Sequence, residues 1–182
     1  RRSSDLKIQL KHLDPTLKYN REKKSEIKLS LFFKEESEYY KNRLQKNSID
    51  FTIFLEDDFS ISINRGKIVQ IIDNLISNSE YWLIKLKGND PNCKPSITIK
   101  IESPWIYFYD NGYGISPAIE NMLFEPFVTT KPKGEGRGLG LFIIQQLLDS
   151  SKCTIALEPF RNEHGRKYIF AINFSNIINE YK

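Results

Sequence analysis

The chain has 182 residues, enough for one domain with a substantial core, and its 40% hydrophobic and 27% charged residues are ordinary globular values. A net charge of +4 does not indicate a nucleic-acid-binding protein, and no apolar run is long enough to cross a bilayer. Two cysteines without metal-ligand spacing indicate free thiols in a reducing, cytoplasmic setting. The chain begins at Arg1 rather than at a methionine, which predicts a fragment of a longer protein that could be membrane-anchored.

The first fifty residues predict a linker followed by a helix. Residues 1–28 are rich in Lys, Arg, Ser and Asn, which indicates a surface linker or the end of an upstream helix. From Leu29 to Lys46 apolar residues recur at helical spacing, with Ser30 as the candidate N-cap. We therefore place the folded domain at residues 29–182.

Two strands are predicted next, because apolar residues alternate with polar ones over residues 51–55 and again over 59–63. The acidic run Glu56-Asp57-Asp58 lies between them. Three carboxylates could form an acid–base or metal site. Aspartate, however, favours turns through hydrogen bonds to its own backbone, so a turn is the prediction.

The strongest helical pattern runs from Lys67 to Leu86, and a loop follows to Pro95. Its apolar stripe at three-to-four spacing consists of Ile68, Ile71, Ile72, Leu75, Ile76, Leu83 and Leu86. Four polar residues, three or four positions apart, share the opposite face: Asn74, Ser77, Asn78 and Tyr81. Taken alone, such a face is more often solvated surface than a binding site.

Two further strands are predicted at residues 97–101 and 105–109, joined by a turn at Ser103-Pro104. The second strand brings Asp110 to an edge of the sheet, where functional side chains are frequent. Ser116-Pro117 is typical of an N-cap followed by proline at the first helical position, which predicts a short helix to about Leu123.

The last third of the chain contains a loop, a helix and two strands. Residues 128–138, which we call the lid, lack periodicity and carry charges among glycines, which indicates a flexible loop. The pattern from Leu139 to Leu148 predicts a largely buried helix. Strands at residues 154–157 and 168–174, joined by a charged hairpin at 161–166, complete the sheet.

Two glycine clusters stand out: Asp110-Asn111-Gly112-Tyr113-Gly114 and Gly136-Arg137-Gly138-Leu139-Gly140-Leu141. The second cluster runs directly into the apolar helix. Glycines let a backbone approach phosphate closely, and the free N–H groups and dipole of a helix N-terminus attract it. Together with the asparagines of the long helix, the clusters predict a nucleotide site.

Four motifs in this order resemble those of the GHKL superfamily of ATP-binding domains: DNA gyrase, the large heat-shock chaperone, histidine kinases and MutL. The asparagine box is Asn74-Leu75-Ile76-Ser77-Asn78, the phenylalanine box is Phe124-Glu125-Pro126-Phe127, and the two glycine boxes are the clusters above. The match covers roughly residues 50–175. Within the superfamily the chain is most similar to the catalytic ATP-binding domain of histidine kinases.

The resemblance implies an α/β (α+β) fold, a two-layer sandwich of a mixed β-sheet and helices of the Bergerat type. It also implies an enzyme of two-component signalling that binds ATP and Mg²⁺ and transfers the γ-phosphate to a protein histidine. Neither His12 nor His164 stands in a phosphoacceptor pattern. The phosphoacceptor histidine domain, or a response regulator, is therefore expected in the parent protein or a partner, and a homodimer could form through the upstream region.

The resemblance also assigns roles to single residues. Asp110 is expected to accept the exocyclic amine of adenine, while Gly112 and Gly114 let the backbone pass close to the base. Asn78 corresponds to the Mg²⁺ ligand, and this metal takes few protein oxygens. Asn74 stands where hydrolytic relatives carry a glutamate. An amide accepts no proton, so Asn74 and Asn78 form a catalytic pair suited to phosphotransfer rather than hydrolysis.

The lid and the second glycine box are expected to hold the triphosphate, and the residues implied are Lys131, Gly136, Arg137, Gly138, Leu139 and Gly140. For Lys131 and Arg137 a solvated loop charge is an equally good interpretation. Phe124 and Phe127 are expected to pack in the core at the base of the lid rather than contact a ligand.

The chain departs from the histidine kinase pattern at two places. Tyr81 stands where the family usually carries Lys, His or Arg, and Gly165-Arg166-Lys167-Tyr168 replaces the usual glycine turn and threonine near adenine. These departures and the missing acceptor favour an alternative, an ATP-gated conformational and dimerisation module of the MutL or chaperone type. Asn74 favours the kinase.

Overall fold

The structure, a computed structural model, describes residues 23–178 of the chain. The strands are β1 (Ser25–Lys28), β2 (Asp50–Asp57), β3 (Ser60–Ile63), β4 (Ser96–Glu102), β5 (Trp105–Asp110), β6 (Thr154–Leu157) and β7 (Ile169–Asn173). The α-helices are α1 (Leu29–Gln45), α2 (Arg65–Asn89) and α3 (Gly140–Asp149), and short 3-10 helices cover Pro117–Met122 and Ser175–Ile177. The elements predicted from residue 29 onward are present, and their ends differ by a few residues.

The main sheet has five strands in the order β2-β4-β5-β7-β6. Strands β2 and β4 are parallel and the other pairs are antiparallel, so the sheet is mixed. Strand β3 is not part of this sheet; it pairs with β1 in a separate antiparallel ribbon. A parallel pair needs a long crossover connection, and here the segment from β3 through α2 provides it.

The helices cover one face of the main sheet and share one hydrophobic core with it. Burial alternates along β4, where Ile97, Ile99 and Ile101 are buried while their neighbours are partly exposed. These isoleucines belong to the same buried cluster as Leu75 of α2 and Ile144 of α3. The predicted two-layer α/β sandwich is therefore confirmed.

Part of the segment interpreted as a linker is folded. Residues 25–28 form β1, and Ile27 pairs with Ile61 of β3 in the antiparallel ribbon. Residues 1–22, with His12 among them, lie outside the described part of the chain.

The assignment of Ser30 as the N-cap of α1 is wrong. Lys28 holds the capping position and its side chain makes no capping hydrogen bond. The Ser30 N–H instead donates to Asp58 Oδ1 at 3.0 Å, and Lys28 Nζ lies 3.6 Å from Asp58 Oδ2. Asp58, which follows the end of β2, therefore satisfies a free N–H of a helix that begins almost thirty residues earlier. The connection is shorter than the predicted acidic turn, because Glu56 and Asp57 belong to β2. Among the described residues no cluster of His, Cys, Asp or Glu could hold a metal.

Helix α2 is longer than the pattern predicted, because it starts at Arg65 and continues through Gly88 to Asn89. The side chain of Asn64 caps its start by accepting the Lys67 N–H at 3.3 Å. The predicted apolar stripe is buried except for Leu86, which is partly buried, and it determines which side of the helix faces away from the core.

Arg43 fastens α1 to a second side of α2. Its guanidinium donates to Glu80 Oε2 at 2.6 and 2.9 Å and to Asp73 Oδ1 at 2.8 Å. It also donates to Ser77 Oγ at 2.9 Å. Asp73, Ser77 and Glu80 follow one another at helical spacing, so one planar guanidinium locks the rotation of α2 about its axis.

Replacing Arg43 by methionine should destabilise the domain, because Glu80 is only 13% exposed and would lose its charged partner. Since Arg43 itself is partly exposed, we expect a loss of about 1–2 kcal/mol in the free energy of unfolding, measured by urea denaturation. The matched control is Lys41→Met on the exposed side of the same helix. A loss no larger than in that control would mean that the cluster contributes little.

Helix α3 is less buried than predicted. Only Ile144 and Leu148 are fully buried, although the helix is apolar around most of its circumference. The side chains of Leu141, Phe142 and Ile143 contribute to the wall of a cleft. The apolar residues of this helix that are not buried in the core therefore line the cleft.

Cys93 and Cys153 are free, in agreement with the prediction. Burial raises the pKa of the Cys153 thiol to about 11, so it is unreactive at neutral pH. None of the helices in the described range is long and apolar enough to span a membrane.

Candidate functional site

A cleft of about 980 Å³ opens between α2, α3, the end of β5 and the lid. Of the residues predicted to form the site, all except Gly112 line it: Asn74, Asn78, Asp110, Gly114, Lys131, Gly136, Arg137, Gly138, Leu139 and Gly140. Motifs that are up to 66 positions apart in the sequence, from Asn74 to Gly140, thus meet around one cavity. Its volume is suited to a ligand of nucleotide size.

Asp110 ends β5 at one side of the cleft, and both of its carboxylate oxygens accept a hydrogen bond. The Ser79 hydroxyl donates to Oδ2, and the Gly112 N–H donates to Oδ1 at 2.9 Å. Burial raises the pKa of Asp110, while the two donors lower it. Each oxygen retains a lone pair that can accept from a ligand.

The first glycine box turns the chain tightly around this carboxylate. A Cβ on Gly112 would lie 2.8 Å from Asp110 Oδ1, so a larger residue would displace the acceptor. Gly114 has φ +76°, and a Cβ there would lie 2.9 Å from both Arg166 Cβ and the Lys167 carbonyl oxygen. The hairpin before β7 therefore packs directly on this turn and closes that end of the cleft.

At the other end of the cleft, the start of α3 faces the two asparagines of α2. A Cβ on Gly140 would lie 3.4 Å from Asn78 Nδ2 and 3.6 Å from Asn74 Oδ1. Glycine at this position lets the first turn of α3, with its free N–H groups, come close to both amides. An anion bound there would meet N–H donors and amide groups together.

Lys131 reaches from the lid into the same region. Its ammonium lies 3.5 Å from Asn78 Oδ1 and 4.2 Å from the centre of the Tyr81 ring. Burial lowers the pKa of Lys131. Because both of these contacts are with uncharged groups, the ammonium can still gain a strong interaction with an anion.

The lid is attached to α2 through Glu135. The Tyr81 hydroxyl donates to Glu135 Oε2 at 2.5 Å, and Lys85 Nζ lies 3.3 Å from the same oxygen. These hydrogen bonds lower the pKa of Glu135, and the bond to the carboxylate raises the pKa of Tyr81. Tyr81, a departure from the histidine kinase pattern, thus contacts the lid through both its hydroxyl and its ring.

Replacing Glu135 by alanine should release this attachment and make the lid more accessible to protease. We expect trypsin to cleave after Lys133 several-fold faster than in the unaltered protein, because opening the lid would no longer break the contacts with Tyr81 and Lys85. The control is Glu125→Ala, an exposed glutamate just before the lid. Equal cleavage rates in the two variants would show that Glu135 does not hold the lid.

The two phenylalanines of the phenylalanine box behave differently. Phe124 packs on the core and contacts Phe170 with ring centres 6.4 Å apart, as predicted. The prediction is wrong for Phe127, which is 52% exposed and has φ +69°. Its N–H donates to the Gly138 carbonyl oxygen at 2.8 Å, and a Cβ on Gly138 would collide with its backbone. Phe127 therefore closes the base of the lid through its main chain.

Several residues that line the cleft were not predicted as site residues: Ser79, Trp82, Tyr113, Arg166 and Tyr168. One of them left a signal in the sequence. Ser79 falls on the apolar stripe of α2, four residues after Leu75 and four before Leu83, and is only 5% exposed. A hydroxyl at a core position requires a hydrogen-bond partner, here the Asp110 carboxylate.

Residues 63–176, well over half of the chain, match the profile of the family described as "Histidine kinase-, DNA gyrase B-, and HSP90-like ATPase". The chain belongs to this family. The resemblance drawn from the four boxes is therefore confirmed. Together with the relatives described below, the match supports an ATP-binding catalytic domain of the histidine kinase type.

Curated members of the family that resemble the chain are sensor kinases. The two-component sensor PprA of Pseudomonas aeruginosa is 34% identical over 45% of this chain, and the sensor protein kinase PilS of the same organism is 28% identical over 75%. The chain spans only 9% of the length of PprA and 25% of PilS. It thus corresponds to one part of such proteins.

Solved structures of the family share the fold. The nucleotide-free catalytic domain of histidine kinase ThkA has a TM-score of 0.64 at 25% identity and covers 84% of this chain and 97% of its own. The mycobacterial sensor histidine kinase MprB has a TM-score of 0.66 at 15% identity, covering 87% of this chain and 99% of its own. The MutL-type or chaperone-type alternative is not favoured by these relatives.

Proposed function

We propose that this domain binds Mg-ATP in the cleft and presents the γ-phosphate to a histidine on a domain outside the chain. The observation that carries the proposal is the polarity of the cleft. A partly buried carboxylate, Asp110, lies at one end, and the lid ammonium of Lys131 lies beside the amide of Asn78 at the other. Adenine needs an acceptor for its amine, and a triphosphate needs cations and N–H donors.

The residues at the second end fit a triphosphate and one Mg²⁺. Asn78 would hold the metal through its amide oxygen, now contacted by Lys131. The free N–H groups of the glycine box, together with Lys131 and Arg137, would bind the phosphates. When bound, Mg²⁺ neutralises charge between the β- and γ-phosphates.

The proposal assigns phosphotransfer rather than hydrolysis to the site, because no carboxylate of α2 reaches the cleft beside Asn74. Asp73 and Glu80 are bound to Arg43 on another side of the helix and do not line the cleft. Without a general base on α2 beside Asn74, water is not activated there, and the chain contributes positioning and charge stabilisation to an incoming histidine. We further propose that the phosphoacceptor histidine domain, or a response regulator, is part of the parent protein or of a partner. A homodimer would form through the region upstream of this domain.

Calorimetric titration with a non-hydrolysable ATP analogue, with and without Mg²⁺, tests this function. We expect saturable one-to-one binding that is tighter with Mg²⁺, and much weaker binding of the GTP analogue, whose base offers an oxygen where adenine offers an amine. Absence of binding by the ATP analogue under both conditions would refute the proposal.

A further inference from the structure

Ser79 lies on α2 next to Asn78 in the sequence, and its side chain contacts Asp110 at the opposite end of the cleft. It follows Asn78 directly on α2, yet its side chain points to the sheet and donates a hydrogen bond to Asp110 Oδ2. The residue is 5% exposed, and its neighbours on the stripe of α2 are apolar. An alanine would fill nearly the same volume in this position, so the hydroxyl needs an explanation beyond packing.

The Asp110 carboxylate is held from two sides. Ser79 donates to one oxygen and the Gly112 N–H to the other, and these bonds fix the plane of the carboxylate. Each donor stabilises the charged form more than the neutral one, and so opposes the rise in the pKa of Asp110 that burial causes. Of the two donors, only Ser79 can be removed without changing the backbone.

The other ionisable groups around the cleft lie on three segments. Tyr113 follows Asp110 on the turn after β5, and Arg166 and Tyr168 lie on the hairpin before β7. The lid contributes Lys131, Glu135 and Arg137. None of these residues is replaced in the Ser79 variant, so a comparison with the unaltered protein isolates the effect of removing the hydroxyl.

We propose that Ser79 is a positioning residue that keeps Asp110 oriented and ionised, and thereby sets the preference of the site for a 6-amino purine over a 6-oxo purine. The inference rests on the proposed function, since it assumes that Asp110 receives the purine base. An ionised carboxylate can only accept, so it selects the amine of adenine. A protonated carboxyl can also donate, and its O–H would donate to the carbonyl oxygen of hypoxanthine.

The test compares Ser79→Ala with the unaltered domain, using the non-hydrolysable analogues of ATP and inosine triphosphate between pH 5.5 and 8.5. We expect ATP-analogue affinity to fall about tenfold at pH 6 and less at pH 8, because removing the hydroxyl raises the pKa of Asp110. The affinity for the inosine analogue should fall less, or should rise. The phosphates titrate equally in both proteins, so the ratio between variant and unaltered protein cancels their contribution.

Ser77→Ala is the matched control, because it removes a hydroxyl bonded to a charged group on another side of the same helix. It should leave the ratio of ATP-analogue to inosine-analogue affinity unchanged at every pH. Alanine is a good helix former, and the thermal midpoint without nucleotide verifies that both variants fold.

An unchanged affinity ratio and pH profile in Ser79→Ala would overturn the inference while leaving ATP binding by the unaltered domain intact. A uniform loss for both analogues at all pH values would also overturn it, since that pattern indicates a general effect on the cleft. Failure of the unaltered domain to bind either analogue would instead refute the proposed function.

Discussion

Replacing Asp110 by asparagine should reduce ATP affinity by about 100-fold or more while leaving the fold intact. The charge-assisted bond to the adenine amine is lost, and the new amide can place an N–H against that amine. The fold should persist because the oxygen of the new amide can still accept the Gly112 N–H, and the Ser79 hydroxyl can rotate to accept from the amide nitrogen. Calorimetry with the Mg²⁺ complex of the non-hydrolysable analogue measures the change.

The same substitution should leave stability at neutral pH unchanged or higher, in contrast to its effect on binding. Burial raises the pKa of Asp110 in the folded state above its unfolded value. For an acid this means that stability falls as pH rises from the unfolded value through the folded one, so at pH 7.5 the ionised carboxylate is a cost that asparagine removes. Thermal unfolding without nucleotide measures this.

Asp50→Asn is the control, because Asp50 is exposed at the start of β2, outside the cleft. It should leave the affinity for the ATP analogue unchanged. Unaltered ATP affinity in Asp110→Asn would remove the adenine assignment. A large loss of stability at pH 7.5 would show that the carboxylate serves the fold instead.

Replacing Asn78 by alanine should remove the part of ATP binding that depends on Mg²⁺. With the amide oxygen gone, the metal keeps only phosphate and water ligands, and we expect the affinity of the Mg²⁺ complex to fall about tenfold to a hundredfold. Affinity without Mg²⁺ should change much less. Two titrations of the variant, with Mg²⁺ and with a chelator, measure the difference.

Ser77→Ala serves again as control, since Ser77 is adjacent in the helix but bonds to Arg43. Equal losses with and without Mg²⁺ in Asn78→Ala would contradict a metal-ligand role. Such a result would leave Asn78 as a partner of Lys131 and of the start of α3 only.

The sequence predicted the elements and the meeting of the motifs because both follow from local patterns. The stripe of α2 and the alternation in β4 specify which faces are buried, and the glycine boxes need their residues for backbone reasons. Gly114 and Gly138 have positive φ, and Gly140 is where the backbone of α3 approaches the amides of Asn74 and Asn78.

What could not be predicted depends on contacts between distant segments. The N–H of Ser30 is bonded by Asp58, 28 residues away, and Arg43 meets its carboxylates 30 and 37 residues later. No local pattern encodes such partners. The exposure of Phe127 was not predicted for another reason. This residue contributes to the base of the lid through its main chain, and the type of its side chain does not indicate that role.

The contacts between the lid and α2 could not be predicted from the sequence either. Tyr81 looks like a missing cation when only the motif is considered. In the structure the ring faces the ammonium of Lys131 and the hydroxyl bonds to Glu135, so the position is linked to two lid residues. Whether a residue departs from a family pattern, and what it does instead, are separate questions.

Helix α2 has a consequence for how this domain can change over evolutionary time. From Arg65 to Tyr81 every residue is at least partly buried, because the sides of the helix are divided largely among the core, the cleft and Arg43. In α1, by contrast, Leu31 and Tyr39 are more than half exposed. Neutral drift can therefore proceed along one side of α1, whereas in α2 almost every substitution must be compensated elsewhere. New specificities should arise more readily through the lid than through this helix.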